Sequence, residues 1–273
     1  MKKYLPSLVM FAVFETVAVG LWLAKGNPFY LWNFTYIGGC ISLGLALFAA
    51  GRPWARQFVQ WAVGCYLLFY LGIACRENLQ IEGFWYYLFL GSFEAATIHY
   101  AVAKIGGPLL FGRGWCGYAC WTAMVLDVLP WRQRESPRKN LGFLRYLTFA
   151  FSLAVTAGLF LSKPAHLERI MFWLFLGGNL VYYITGVLLA WRLRDNRAFC
   201  KYLCPITVFL KPMSRFSLLR VHCDETVCIQ CGSCITACPM DVEVNHEGRA
   251  RKNGTECILC YTCKRVCPTE ALR

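Results

Sequence analysis

The sequence contains few charged residues and few histidines. Only 16% of its 273 residues are charged and 58% are hydrophobic, whereas a soluble globular domain is about 25% charged. The four histidines stand singly, and no Cys-x2-Cys-His sequence occurs. The shortage of charge excludes a soluble domain of this size. The histidine pattern excludes an attached c-type haem and leaves a paired b-type haem without ligands.

Long hydrophobic runs account for the shortage of charge. Six runs have the length and apolarity of a membrane-spanning helix, at about residues 5–24, 30–50, 58–74, 84–102, 143–161 and 170–190. The first run follows Lys2 and Lys3, but it is long and has no small-x-small cleavage site, so we expect an uncleaved anchor rather than a signal peptide. The sequence therefore predicts an all-α bundle of six transmembrane helices over residues 1–192.

The net charge of +13 is carried by the hydrophobic part of the chain. Its basic residues stand in short clusters between the apolar runs, which excludes a nucleic-acid partner because the positive-inside rule already explains such clusters. The loops predicted to face inward carry most of them: Lys2, Lys3, Arg52, Arg56, Lys104, Arg113, Arg132, Arg134, Arg138, Lys139, Arg145 and the basic residues after Trp191. The outer loops keep only Lys25, Arg76, Lys163 and Arg169. This bias predicts a multi-pass protein of the inner (cytoplasmic) membrane with both termini in the cytoplasm.

Eight of the sixteen cysteines form two identical frames near the C-terminus. The frames are Cys228-x2-Cys231-x2-Cys234-x3-Cys238-Pro239 and Cys257-x2-Cys260-x2-Cys263-x3-Cys267-Pro268. In such a pair, the first three cysteines of each frame bind one [4Fe-4S] cluster and the fourth binds the other cluster. Zinc sites usually combine two Cys-x2-Cys units, which these frames do not resemble.

The frames assign four ligands to each of two clusters. Cluster 1 takes Cys228, Cys231, Cys234 and Cys267, and cluster 2 takes Cys257, Cys260, Cys263 and Cys238. We therefore expect a small α+β bacterial-type ferredoxin domain over residues 219–273, and its thiols belong in a reducing compartment.

A second cysteine motif occurs twice, at residues 113–120 and 197–204. Both copies read Arg-x-aromatic-Cys-x-Tyr-x-Cys and contain the pairs Cys116 and Cys120, and Cys200 and Cys204. Each copy follows an even-numbered predicted span, so the topology brings all four thiols to the inner membrane face, the second pair within a connector over residues 193–218. Residues four apart on a helix share one face. The repeat predicts a third redox centre, most simply another iron–sulfur cluster, and the alternative is two dithiols without metal.

Ionisable residues inside membrane spans are rare and often functional, and few residues here qualify as proton acceptors within a span. Glu94 and His99 in the fourth predicted span are the candidates, because an imidazole titrates near neutrality and burial raises the pKa of a carboxyl group. Glu15 is a weaker candidate without a partner nearby in the sequence. The alternative is that these side chains only pair with polar neighbours in the bundle.

The two cysteine motifs together resemble a known group of proteins. A polytopic membrane part with two Cys-x3-Cys frames, followed by a two-cluster ferredoxin tail, is similar to the NapH-type and MauN-type membrane ferredoxins and to the membrane and ferredoxin portion of NosR. The family frame is Cys-x3-Cys-Pro, which Cys204 and Pro205 complete in the second copy, whereas Trp121 replaces the proline in the first. The resemblance implies electron transfer from the membrane quinone pool, with ferredoxin-type or cytochrome subunits as partners. Glu94 and His99 are then the candidate proton acceptors for the oxidation of a quinol, which requires such a group beside an apolar pocket.

Two other functions remain open from the sequence. CcoG-type copper reductases and assembly factors share the Cys-x3-Cys and ferredoxin parts but carry a further C-terminal domain, whereas this sequence stops at Arg273. The four inner thiols are also compatible with a redox sensor that switches between dithiol and disulfide. We expect an electron-transfer subunit rather than a stand-alone enzyme.

Overall fold

The computed structural model describes residues 2–131, 138–248 and 251–273, and their regular structure is helical. Arg132 and Arg134, two of the basic residues that predict the orientation, lie outside the described residues. Within the described ranges there is no strand, and Cys223 and Leu272 form an isolated antiparallel bridge. The α+β character expected for the tail is therefore not confirmed, because its cysteine loops leave only this bridge between the chain segments that flank them.

The helices are listed here in chain order. They are α1 Leu5–Lys25, α2 Phe29–Ala49, α3 Ala55–Cys65, α4 Ile81–Phe89, α5 Ala95–Tyr100, α6 Gly107–Phe111, α7 Gly114–Tyr118, α8 Trp121–Leu126, α9 Leu144–Ser162, α10 Leu167–Leu193, α11 Ala198–Tyr202, α12 Thr207–Ser214, α13 Ser233–Thr236 and α14 Thr262–Arg265. Two π-helical segments extend α3 and α5, at Tyr66–Ala74 and Ala101–Gly106. Short 3₁₀ turns occupy Lys2–Tyr4 and Gly254–Glu256.

Among the described residues, five helices are long and apolar enough to cross a membrane. They are α1, α2, α3 with its π-helical extension, α9 and α10. These helices leave many large apolar side chains exposed, among them Leu23, Leu43, Phe151 and Leu180, as expected of surfaces that face lipid. The protein is thus built as a membrane protein, and five of the six predicted spans correspond to these helices.

The fourth predicted span, at residues 84–102, is not a single helix, so a bundle of six spans is not confirmed. The chain leaves the π-helix at Ala74, runs without helix to Gln80, and forms the nine-residue α4. It then breaks at residues 90–94 and returns through α5, its π-helical extension and α6. The break has a local cause, because Gly91 takes a left-handed conformation (φ 68°) and Glu94 caps α5 in a capping box with Thr97.

The resulting hairpin of α4 and α5 is held between α9 and α10. Trp85 Nε1 donates a hydrogen bond to Ser152 Oγ on α9 at 3.2 Å, and Asn78 Nδ2 donates one to the Met171 carbonyl on α10 at 2.9 Å. Non-helical backbone at membrane depth is tolerated where protein covers it. Residues 75–89 therefore form a re-entrant segment that the neighbouring helices enclose.

The tail packs directly on the end of the bundle. The backbone N–H groups of Leu218 and Leu219 donate to the carbonyls of Leu109 and Leu110 in α6, at 2.9 and 2.7 Å. One apolar cluster continues from Cys116 and Cys200 into the tail cysteines. Because the core is shared, the cysteine-rich tail has a fixed position relative to the helices. The division of the chain at residues 192 and 218 stays a prediction.

Candidate redox site

The four thiols of the repeated motif line one cavity between the bundle and the tail. Cys116, Cys120, Cys200 and Cys204 surround it together with Gln80, Lys104 and Arg113. Cys116 and Cys200 are buried, and Cys120 and Cys204 are partly buried. The structure thus brings together the two pairs that are 84 residues apart in the sequence, one on α7 and the other on α11.

The two copies of the motif share an unusual helix end. The N–H groups of Ala119 and Cys120 both donate to the Trp115 carbonyl, at 2.9 and 3.1 Å, and those of Leu203 and Cys204 both donate to the Phe199 carbonyl, at 2.9 and 3.0 Å. The second thiol of each pair therefore lies just past its helix. The expectation of two thiols one turn apart on a continuous helix is wrong in this detail, because each helix has only five residues and closes with a wider turn.

Each arginine of the motif contacts the cysteine pair of the other copy as well as its own. Arg113 Nη2 donates to the Cys200 carbonyl at 3.3 Å and lies 4.0 Å from Cys116 Sγ. Arg197 Nη1 donates to the Cys116 carbonyl at 3.0 Å and lies 4.0 Å from Cys200 Sγ. Each guanidinium group thus bridges both cysteine pairs, and both are almost completely buried.

Several buried hydrogen-bond donors around the four thiols have no acceptor. Arg113 Nε, Arg197 Nε and Gln80 Nε2 have no hydrogen-bond partner, although buried polar groups are normally paired. Lys104 Nζ is buried in the same wall, 5.0 Å from the centre of the Trp115 ring. Four thiols combined with unpaired donors and cations fit an anionic group such as a thiolate-bound iron–sulfur cluster.

The thiols themselves are poorly suited to react on their own. Burial raises the pKa of Cys200 to about 12 despite the nearby Arg197 guanidinium, and burial also raises the pKa of Cys204. Reactive cysteines have depressed pKa values, because the thiolate is the nucleophile. Burial thus favours the protonated thiols, and a metal that binds there has to displace these protons.

Two further groups of thiols lie in the tail. Cys228, Cys231, Cys234 and Cys267 line one small cavity, which is the ligand set expected for cluster 1. Cys238 is close enough to Cys257, Cys260 and Cys263 for their charges to interact, as expected for cluster 2. Among the described residues, no three metal-binding side chains converge on the position of a single ion.

The cluster 2 loop lies against the motif that carries Cys116. The Arg113 N–H donates to the Cys257 carbonyl at 3.2 Å, and Tyr118 Oη donates to the Leu259 carbonyl at 3.0 Å. Gly117 makes this approach possible, since a Cβ there would lie 2.5 Å from the Ile258 carbonyl oxygen. The loop expected to hold cluster 2 is therefore next to the four-cysteine cavity.

Glu256, next to Cys257, anchors the tail in the bundle. Its buried carboxylate pairs with Arg113, with Arg138 at 3.1 Å, with Arg145 at 3.2 Å and with Lys211 at 3.2 Å. Burial alone would raise the pKa of Glu256, but the four cations outweigh it and lower the pKa to about 2. The carboxylate is thus ionised at every physiological pH and joins the tail to three separate segments of the bundle.

Asp127 has the corresponding place beside Arg197. Its carboxylate lies 2.5 Å from Arg197 Nη2 and 2.8 Å from Arg56 Nη1. Burial raises its pKa, and the two guanidinium groups together lower it below the usual value. Both arginines of the motif therefore have a dedicated carboxylate, so that their position beside the thiols is fixed.

A larger cavity of about 400 Å³ lies on the other side of His99. Its walls are mainly apolar and aromatic, with Leu67 and Leu71 from one π-helical segment and Val102 and Ala103 from the other. Its volume lies within the range of about 300–1,000 Å³ that small-molecule sites occupy. The two π-helical segments that shape it are of a kind often found at functional sites.

Both ionisable candidates of the fourth predicted span line this cavity. Glu94 is exposed at the start of α5 rather than within a continuous span, because the break at residues 90–94 brings it to a helix end. His99 lies deeper, its ring 5.5 Å from Trp115 and 6.3 Å from Trp121, and its Nε2 is buried without a partner.

The indole N–H of Trp121, which replaces the family proline, donates to Asn179 Oδ1 at 2.7 Å.

Glu15 is not part of either cavity. Its Oε2 accepts a hydrogen bond from Thr35 on α2 at 3.2 Å, so it pairs with a polar neighbour as the alternative reading expected. The sequence reasoning missed Gln80 in the cysteine cavity and Glu77 in the larger cavity, where Tyr87 Oη donates to Glu77 at 2.8 Å. Polar residues directly before an apolar run were the signal that could have indicated a re-entrant segment.

Two family models of iron–sulfur proteins match the chain. A 4Fe-4S dicluster domain matches residues 227–272, which contain all eight tail cysteines of the two frames. A 4Fe-4S binding domain matches residues 100–139 and 178–222, which contain both copies of the Cys-x3-Cys motif. The protein is therefore an iron–sulfur protein, and the second match covers the elements that form the four-cysteine cavity.

Curated relatives that are named as ferredoxin-type or electron-transport proteins also match part of the chain. The methylamine utilization ferredoxin-type protein MauN of Methylobacillus flagellatus is 30% identical over 56% of this chain and 58% of its own length. MauN of Paracoccus denitrificans is 30% identical over 48% of this chain and 50% of its own. A putative electron transport protein of Escherichia coli, YccM, is 26% identical over 57% and 49%. The chain thus spans about half of the length of these relatives, and no solved structure matches it.

These likenesses confirm the resemblance to the MauN-type ferredoxins that the sequence indicated. They support an iron–sulfur electron-transfer protein in the membrane. The resemblance to NosR stays a prediction.

Proposed function

We propose that this iron–sulfur electron-transfer protein, similar to the MauN-type ferredoxins, exchanges electrons with a membrane quinone that binds in the cavity beside His99. The observation that carries the proposal is the position of His99 and Trp115, which separate this cavity from the four thiols. In this proposal, one layer of aromatic side chains separates the quinone from the four thiols.

The large cavity supports a quinone as the substrate. A quinone head group is flat, mainly apolar and edged by two oxygens, and the cavity offers aromatic and aliphatic walls with few polar groups. The buried His99 Nε2 has no partner in the protein, so it is available to the hydroxyl group of a quinol. A neutral imidazole there accepts the proton as the quinol is oxidised. Glu94 and Glu77 line the outer part of the cavity, where they relay that proton to water.

The four thiols support a third cluster site beside those of the tail. Cys116, Cys120, Cys200 and Cys204 would hold it, and the clusters together would carry single electrons between the cavity and the tail. Arg113, Arg197 and Lys104 offset its negative charge. Gln80 adds a neutral donor from the re-entrant segment.

The tail supports exchange with other redox proteins. Around cluster 1, Ile229 and Val227 are largely exposed apolar side chains, and Cys231 is exposed. Exposed apolar groups beside a redox centre suit transient docking of a ferredoxin-type or cytochrome subunit. The basic residues of the loops on the tail side support the orientation in which the tail faces the cytoplasm.

The test is an iron count on purified protein. Replacement of both Cys120 and Cys204 by serine removes one thiolate from each pair, and we expect about four fewer iron atoms per chain and the loss of quinol-driven reduction of the tail clusters. Cys40→Ser is the matched control, because Cys40 is a partly buried thiol on α2 away from the cysteine cavity. An iron content and a quinol-driven reduction equal to those of the control would refute the proposed site.

A further inference from the structure

We propose, on the basis of the function proposed above, that the quinone reaction separates charge across the membrane. Protons enter and leave through the mouth of the large cavity, whereas electrons enter and leave at the tail on the opposite membrane side. The protein would thus act as a charge-translocating device as well as an electron carrier.

The mouth of the cavity is defined by helix ends that lie together. Lys25 ends α1, Phe29 begins α2, Cys75 follows the π-helix after α3, and Glu94 precedes α5. All four line the cavity and are exposed. The opposite end of the last of these helices leads to the tail, since α5 continues through its π-helical segment to α6, whose carbonyls accept hydrogen bonds from Leu218 and Leu219. The mouth and the tail are therefore at opposite ends of one continuous stretch of helix.

The ionisable groups that line the cavity include His99 and several groups at or near the mouth. Lys25, Cys75 and Glu94 are exposed at the mouth, and Glu77 lies two residues from Cys75 and accepts a hydrogen bond from Tyr87. Among the described lining residues, both carboxylates belong to the outer part, and the inner wall is closed by buried Trp115, Ile98 and Ala103. A proton on His99 thus has carboxylates on the mouth side, whereas on the tail side it faces Trp115 with the buried Lys104 ammonium against that ring.

The cysteines lie on the side of the large cavity that faces the tail. Trp115 lines the quinone cavity, and the next residue, Cys116, lines the cysteine cavity, which in turn abuts the Cys257 loop of the tail. The helical stretch that begins at the mouth with α5 ends in α6, whose carbonyls accept hydrogen bonds from Leu218 and Leu219. Electrons that pass from the quinone cavity to the tail therefore move away from the mouth, whereas the protons move toward it.

The reaction balances with a one-electron oxidant at the tail. A quinol gives a quinone, two protons and two electrons, and two oxidised acceptor molecules of the one-electron class each take one electron. In the reverse direction, a reduced ferredoxin-type donor supplies the electrons, and the quinone takes its protons through the same mouth. Either direction moves one charge per electron across the membrane, with opposite sign.

The experiment uses the full-length, cluster-loaded protein in sealed vesicles with a reduced quinol in the lipid. Ferricyanide, which does not cross the bilayer, is added outside, so that only molecules with the tail outward are oxidised. A trapped pH dye reports the vesicle interior, and a potential-sensitive dye reports the membrane voltage. Vesicles with the Cys120→Ser, Cys204→Ser protein measure the direct reaction of quinol with ferricyanide, which is subtracted.

We expect one proton inside the vesicle for each ferricyanide reduced, an interior-positive voltage, and loss of both signals on addition of an uncoupler. Protein-dependent ferricyanide reduction with the protons released directly outside, and no voltage, would overturn the charge separation while leaving the proposed function intact. Absence of any protein-dependent reduction would overturn both.

Discussion

At the scale of single residues, Gln80 departs from the rule that buried polar groups have partners. Its side chain is 1% exposed, and neither amide atom has a hydrogen-bond partner. Its position is closely constrained, because a Cβ on the facing Gly178 would lie 2.4 Å from Gln80 Oε1. The amide is therefore held at the wall of the cysteine cavity, where its N–H group can donate to an anionic occupant.

We expect Gln80→Leu to shift the redox potential of the four-cysteine centre. Loss of a donor destabilises the more negative, reduced form, so the midpoint potential falls by on the order of 40 mV, equivalent to about 1 kcal/mol. Redox titration followed by EPR measures the shift. Gln57→Leu is the control, because Gln57 also has a buried, unpartnered atom but does not line the cysteine cavity. Equal potentials in the two variants would contradict the assigned contact.

Glu256 is the second residue on which the site depends. Glu256→Gln keeps the shape and removes the charge, so that four cations remain without their carboxylate. Breaking a buried ion pair typically costs about 3–5 kcal/mol, and we expect a lower melting temperature together with faster proteolysis of the tail. Glu243→Gln is the matched control, since its partner Lys252 is 73% exposed and such surface pairs contribute about 0–1 kcal/mol. A melting temperature equal to that of the control would argue against the anchor.

At the scale of elements, the contact of α7 with the cluster 2 loop depends on the missing side chain of Gly117. We expect Gly117→Ala to push Ile258 away and to loosen the tail from the bundle, with slower quinol-driven reduction of the tail clusters. Hydrogen exchange of the Cys257 loop measures the loosening. Gly158→Ala is the control, because no atom lies within 4 Å of the added methyl group. Unchanged exchange in the loop would show that the contact is not tight.

The sequence predicted most of the elements that form the site. The long apolar runs correctly indicated α1, α2, α3, α9 and α10, and the repeat around Cys116 and Cys200 led to the expectation that the two pairs meet. The break at residues 90–94 was missed, since Leu90 and Phe93 continue the hydropathy of a span and only Gly91 and the pairing of Glu94 with Thr97 interrupt it. A local capping interaction has little effect on the mean hydropathy of a segment of about 20 residues.

The position of Gln80 could not be predicted for a different reason. The re-entrant segment is stabilised by contacts with Met171, Ser152 and Gly178, which are about 70 to 100 residues away in the chain. The local sequence of residues 75–80 carries no periodic pattern. Its conformation is set by the surfaces that enclose it rather than by its own propensities.

At the scale of the whole molecule, the order of the sites predicts a difference between equivalent cysteine variants. We expect both Cys231→Ser and Cys260→Ser to remove one cluster signal. Quinol should still reduce cluster 2 in Cys231→Ser, whereas in Cys260→Ser it should no longer reduce cluster 1, because the centre next to the membrane part is lost. Freeze-quench EPR with quinol measures both. Normal reduction of cluster 1 in Cys260→Ser would mean that electrons bypass cluster 2.

The re-entrant segment also constrains how the protein is made. The nine residues of α4 are too short to span a bilayer, and the non-helical backbone of residues 75–80 exposes polar groups that lipid does not hydrate. Its partners on α9 and α10 are synthesised later, so the segment cannot settle when it first leaves the ribosome. The hairpin can therefore reach its final position only after α9 and α10, which carry Ser152 and Met171, have been synthesised. Closure of the cysteine cavity is thus a late step of biogenesis, which leaves the four thiols open to cluster delivery from the tail side until the helices have assembled.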